Sequence, residues 1–160
     1  MNISREQQSA AGSTVGPEVD SKTIVIGVDG SDGSDRALDW AIDEARCSDR
    51  RLLIVHVVSV VNEMVAAPLV PMGISDPDSY GEAVLSRAGE KCDRLAVSHS
   101  EALLDGPPAE SLVEVSAGAA MLVVGGHRRG PAGRLGSVSE GCVHRSLGPV
   151  VLVKHRPEAR

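Results

Sequence analysis

The sequence predicts an α/β domain with a parallel, doubly wound sheet. Short apolar, β-branched runs recur along the chain, and stretches of helical periodicity separate them. Continuous apolar runs suit strands covered on both faces by helices. Strands and helices alternating at this spacing give right-handed βαβ units. A chain of 160 residues has material for one domain with a real core, and not comfortably for two.

The elements follow in order. Residues 1–21 are polar and aperiodic, and are expected to form a disordered tail ahead of a domain over 22–156. Thr23–Val28 reads as the first strand, followed by the loop Asp29-Gly-Ser-Asp-Gly-Ser34. Leu38, Ala41, Ile42 and Ala45 then fall at helical spacing, with Ser31 or Ser34 available as the cap. Leu52–Val58 is the second strand. The stretch 59–78 is too long for a simple connection and reads as a mobile loop or lid. A helix fits Ser79–Val97, and Ser98–Leu104 is a weaker third strand. Gly106-Pro-Pro opens another helix, with proline near its first turn. Met121–Val124 is the fourth strand, Val138–Ser146 a helix, and Val150–Val153 the last strand.

Composition narrows the functions. Trp40 and Tyr80 are the only aromatics, so the core must be aliphatic. The same scarcity argues against single-stranded nucleic acid, which needs aromatic stacking platforms. A net charge of −6 disfavours nucleic acid and anionic lipid alike. There is no apolar run of the roughly 18 residues a membrane span needs, and the N-terminus lacks the apolar stretch of a signal peptide. Cys47, Cys92 and Cys142 are too far apart for metal-ligand or redox spacing. A reduced, cytoplasmic setting is expected, with no metal site.

Ligands of open α/β sheets bind beyond the carboxyl ends of the strands, where strand order reverses. If strands one and four are neighbours, the loops after them face each other across that crevice. These are Asp29–Ser34 and Gly125-Gly-His-Arg-Arg-Gly-Pro-Ala-Gly-Arg-Leu-Gly-Ser137, the two loops richest in glycine. The second runs into a helix, whose first-turn amides and dipole attract anions. Ser137 and Ser139 can donate hydroxyl hydrogen bonds to a phosphate, and Arg128, Arg129 and Arg134 supply positive charge. The plain structural alternative is a solvated loop whose Ser137 merely caps the helix. Asp29 carries two compatible readings: it caps the turn after the strand, or it hydrogen-bonds a ribose or adenine edge.

The chain resembles the universal stress protein family from about Thr23 to Lys154. The resemblance rests on Ile24-Val-Ile-Gly-Val-Asp-Gly-Ser31 with Ala37-Leu-Asp-Trp-Ala41, on Leu53-Ile-Val-His-Val57, on Leu122-Val-Val-Gly125 with Leu135-Gly-Ser-Val-Ser-Glu140, and on Pro149-Val-Val-Leu-Val153. It implies a five-stranded parallel sheet of order 3-2-1-4-5, a homodimer and, in one branch, an ATP site. Carried over by position, Asp29 and Val57 flank the adenine and ribose, Gly125 begins the phosphate motif, and Gly136, Ser137 and Val138 complete it. Val28, Gly30, Val124 and Ser139 count among the expected nucleotide-binding residues beside them. That branch carries Gly, two residues, Gly, nine residues, then Gly and Ser or Thr. Here Arg128 stands at the second glycine's place counted from Gly125, and only seven residues separate it from Gly136. Counted back from Gly136, the second glycine is Gly126 but the first position is Val123. Losing one charge-assisted backbone contact costs about 1.5–3 kcal/mol, roughly tenfold to a hundredfold in affinity.

No catalytic constellation appears. Gly136-Ser-Val-Ser-Glu-Gly141 lacks nucleophile-elbow spacing, and there is no Walker lysine–serine pair. His56 reads as a core hydrogen-bonding residue, His127 as exposed, and Cys142 as a small buried filler. The last strand, Val150, Val151, Leu152 and Val153, is short, apolar and at the sheet edge. Such an edge pairs with another chain, here a second copy. The leading expectation is a dimeric stress-response module that binds ATP or another adenine nucleotide, with or without Mg2+, and signals to an unidentified protein partner. The alternatives are a nucleotide-independent dimeric interaction protein and a slow ATPase.

Overall fold

The computed structural model describes residues 17–59, 77–126 and 135–154. Strands β1 (Thr23–Gly27), β2 (Arg51–Val58), β3 (His99–Asp105), β4 (Met121–Gly126) and β5 (Val150–Lys154) form one parallel sheet, in the order β3-β2-β1-β4-β5. Among the described residues the helices are α1 (Asp32–Ser48), α2 (Pro77–Arg94), α3 (Pro108–Val115) and α4 (Ser137–Arg145). The expected strand order therefore holds, and β1 and β4 are neighbours with Ile26 opposite Val123.

Alternate residues of each strand feed two cores. Ile24, Ile26 and Ile54 pack with Leu38 and Ile42 of α1 and with Val84 and Leu85 of α2. Val25, Leu53, Val55 and Leu122 pack with Leu112 of α3 and Cys142 of α4. Ile24, Val25 and Ile26 are all 0% exposed, which explains why β1 reads as an unbroken apolar run. Each fully buried side chain of this kind contributes about 1.5–3 kcal/mol. Exposed ion pairs link the helices within each layer, Arg87 to Asp35 and Lys91 to Asp39 on one face, Arg145 to Glu110 on the other. Such pairs orient more than they stabilise.

Element ends differ from expectation by a few residues. The α2 helix starts at Pro77 and stops at Arg94, because Ala96 turns into the left-handed region at φ 55°. Ser31, not Ser34, is the N-cap of α1, and its hydroxyl oxygen accepts from the Ser34 amide. Residues 17–21, read from sequence as part of a disordered tail, lie against the sheet. The Asp20 carboxylate accepts from the Lys22 amide and the Thr23 hydroxyl, both at 2.9 Å, and pairs with Arg51. The Lys22 amide, with Thr23, holds that carboxyl below its usual range. Val19 packs on the core under α3 and α4. The rest of the expected tail lies outside the described residues, as does the expected loop or lid over 59–78 apart from residue 59 and from 77 and 78, which open α2.

Candidate functional site

The loop after β1 is fixed by its own polar groups. The Asp29 carboxylate accepts from the Ser31 amide at 2.9 Å, while the Asp29 amide donates to the Ser34 hydroxyl at 3.3 Å. Ser34 in turn donates to the Ser31 carbonyl at 3.0 Å. Asp29 thus makes the turn that its residue type predicts, yet its side chain stays exposed and one carboxylate oxygen has no partner among the described residues.

Two side chains from distant elements, His56 of β2 and Tyr80 of α2, bear on this loop. His56, 8% exposed, lies with Nδ1 2.8 Å from the Val28 carbonyl oxygen, so that nitrogen carries the proton and donates. The Tyr80 ring meets His56 edge-on at 6.0 Å between centroids, and its hydroxyl donates to the Asp29 carbonyl at 3.2 Å. Gly30 sits beneath with φ +79°, and a β-carbon there would lie 2.6 Å from the Tyr80 oxygen. The core hydrogen bond expected of His56 is present. Tyr80 was legible only as one of two aromatics; its contact spans 51 positions of sequence.

The opposite wall is formed by the end of β4 and the start of α4. Gly136 is the N-cap of α4, so no side chain caps this helix, and Ser137 is its first residue, exposed. The alternative in which Ser137 caps the helix is therefore set aside by its position. Ser139, expected to donate to a phosphate, is 5% exposed and donates instead to the Gly125 carbonyl at 2.8 Å. A hydroxyl has one proton to give, so this bond ties α4 to β4 and leaves Ser139 no donor for a ligand.

Gly125 has a structural duty of its own. A β-carbon there would fall 2.5 Å from the carbonyl carbon and oxygen of Gly33 and 2.8 Å from the Ser34 nitrogen. The first turn of α1 rests directly on the β4 backbone at this point.

The expected site residues divide between the two faces. Val57, Val124 and Val138 belong to the core under α3 and α4, the side from which α4 begins. Val28 belongs to the core under α1 and α2, Gly30 lies against α2, and Gly125 against α1. Val28 therefore turns its side chain away from the crevice, and its amide and carbonyl are taken by the Val55 carbonyl and His56. Val57 and Val124, 9% and 3% exposed, form a nearly closed apolar floor. Arg128, with His127, Arg129 and Arg134, lies outside the described residues. The groups that remain are donor amides at a helix start, one free carboxylate oxygen as acceptor and an apolar floor. That chemistry suits a nucleoside with an anionic tail.

A model of the universal stress protein family matches residues 21–154. The chain belongs to the universal stress protein family. A universal stress protein of Mycolicibacterium smegmatis is 32% identical over 138 residues, which is 81% of this chain and 47% of that protein. One from Mycobacterium tuberculosis is 34% identical over 141 residues, with 81% and 47% covered. The chain thus spans about half the length of the curated relatives it matches. A solved structure of a universal stress protein in complex with cAMP is 31% identical with a TM-score of 0.62, over 84% of this chain and 98% of that one. Among the described residues, no helix of this universal stress domain is long and apolar enough to cross a membrane.

The thiols of this universal stress protein stand apart from the crevice chemistry. Cys92 and Cys142 are 0% exposed and Cys47 is exposed. Burial pushes both buried thiols up to about 11, with Asp93 and Glu101 adding to the effect at Cys92. Cys142 fills the seam between α3 and α4, as its residue type suggests. A thiol reagent at neutral pH is expected to label Cys47 alone in the folded protein and all the cysteines after denaturation, read by intact mass. The folded state holds these protons to about 11 while the unfolded chain loses them near 9.0. Stability is therefore expected to fall as pH rises through that window.

Proposed function

We propose that this chain binds an adenine nucleotide in the crevice beyond β1 and β4 and acts as a dimeric stress-response module in the cytoplasm. One observation carries the reading. The exposed Asp29 carboxylate, the end of β2 at Val57 and the uncapped start of α4 gather at the carboxyl edge of the sheet. In this reading Asp29 hydrogen-bonds the ribose or adenine edge, and Val57 and Val124 floor the base. The amides from Gly136 to Val138 hold the phosphate, with Ser137 donating and Arg128 adding charge. The relative solved with cAMP, at 31% identity, supports an adenine nucleotide as the ligand class. Any Mg2+ would travel on the nucleotide, since no group of His, Cys, Asp and Glu among the described residues is placed to hold one.

The phosphate end is the weaker half, because Arg128 replaces a glycine of the family motif and Ser139 is already engaged. Titration calorimetry with ATP, ADP, AMP and cAMP, each with and without Mg2+, is expected to show binding in the micromolar to millimolar range, about −8 to −4 kcal/mol. No binding of any of the four at millimolar concentration would favour the second reading. That reading is a nucleotide-independent interaction protein, supported by the Ser139–Gly125 bond, which takes the Ser139 donor away from a phosphate.

A further inference from the structure

We infer that Tyr80 is a positioning residue for the nucleotide site, acting through Asp29; the inference rests on the nucleotide-binding reading above. Each backbone polar group of Asp29 is held from a different direction. Its amide donates to Ser34 and its carbonyl accepts from Tyr80, while its carboxylate accepts from Ser31. Of these restraints the Tyr80 bond is the one that comes from outside the loop and α1. It links the loop to the start of α2, 51 residues away in sequence.

Tyr80 is itself held in place. His56, anchored at Nδ1 to the Val28 carbonyl, presents its ring to the Tyr80 ring at 71°. Val28 immediately precedes Asp29, so the contacts close a ring: Val28 to His56, His56 to Tyr80, Tyr80 back to Asp29. The glycine at position 30, with φ +79°, leaves the space that the Tyr80 hydroxyl occupies. A hydroxyl directed at a backbone carbonyl, over a glycine that makes room for it, fixes the peptide between Asp29 and Gly30. The same turn brings the Ser31 amide onto the other Asp29 carboxylate oxygen, and that bond sets the direction in which the free oxygen points. Tyr80 therefore governs how tightly a ribose or adenine edge is held without touching the ligand.

Tyr80→Phe keeps the ring against His56 and removes only the hydroxyl. AMP affinity, measured by calorimetry on the full chain, is expected to fall about threefold to tenfold, the worth of one hydrogen bond. In the ligand-free protein, amide exchange at Ser31, whose N–H the Asp29 carboxylate accepts, is expected to speed up while Ile54 in the core exchanges as before. A purely structural role would instead accelerate both amides together, and that result would overturn the proposal. So would an AMP affinity equal to wild type. The wild-type titration in the same series separates the two ideas: no AMP binding by the unaltered protein overturns the nucleotide reading itself, and the role of Tyr80 with it.

Discussion

Gly125→Ala is expected to lower the unfolding free energy by about 3 kcal/mol, the upper end of what one extra methyl costs in a packed interior. The reason is the identity of the atoms it would strike. The new carbon would sit 2.5 Å from the Gly33 carbonyl and 2.8 Å from the Ser34 nitrogen, all of them backbone in the first turn of α1. A flexible side chain can swing aside, but this turn cannot. It is fixed by the Ser31 cap and by the Ser34–Ser31 and Asp29–Ser31 bonds. Relief would require lifting α1 off β4, and with it Leu38 and Ile42, which are 2% and 1% exposed. The neighbouring glycine supplies the control. At Gly126 a β-carbon would meet the Lys154 side chain and the Val153 carbonyl oxygen at 3.3 Å, contacts that need a shift of only a few tenths of an ångström. Gly126→Ala is expected to cost less than about 1 kcal/mol. Urea denaturation of the two variants side by side tests the contrast; equal midpoints would mean that α1 does not press on β4 here.

This contrast bears on how much of the site was legible in the sequence. Gly125 was assigned to phosphate approach, because glycine between a strand and a helix start is what an anion loop requires. The structure gives it a second and sufficient reason, close packing of helix on strand, which no local pattern reveals. Ser139 is a similar case. Its place in the first turn of α4 suggested a phosphate donor, but its direction, inward to the Gly125 carbonyl, depends on how α4 docks. The strands, by contrast, were readable. Burial on both faces leaves no polar position in Ile24–Ile26 or Leu53–Val55, so composition alone marked them. The contacts of residues 17–21 were not legible, because Val19 packs on the core and Asp20 and Glu18 meet Arg51, all of them partners distant in sequence. Tyr80 escaped notice for the same reason.

Leu152→Pro is expected to dissociate the proposed β5-edge dimer to monomers while leaving the domain folded. Sheet order places β3 and β5 at the two edges. The β3 edge carries His99, Glu101 and Asp105, charged or polar groups that discourage strand pairing, whereas β5 reads Val-Val-Leu-Val-Lys. Beside it, Leu147 is fully exposed and Val143 is 47% exposed, an apolar margin to the same edge. The Pro149 carbonyl accepts from the Leu122 amide at 2.9 Å, so it faces β4. Alternation along a parallel ladder then turns the backbone polar groups of Val151 and Val153 toward β4 and those of Val150 and Leu152 outward, while the Leu152 side chain packs on the core under α3 and α4. Proline at 152 removes an outward N–H and leaves the inward ladder whole, the one place in a sheet where proline is tolerated. In a two-fold pair the loss occurs twice, about 2–3 kcal/mol in all, so the dissociation constant should rise roughly 30-fold to 150-fold. Light scattering across micromolar concentrations reads this directly, and Leu147→Glu should weaken the same dimer without altering β5. A wild-type chain that stays monomeric throughout that range would remove the edge pairing, and the two-fold module with it.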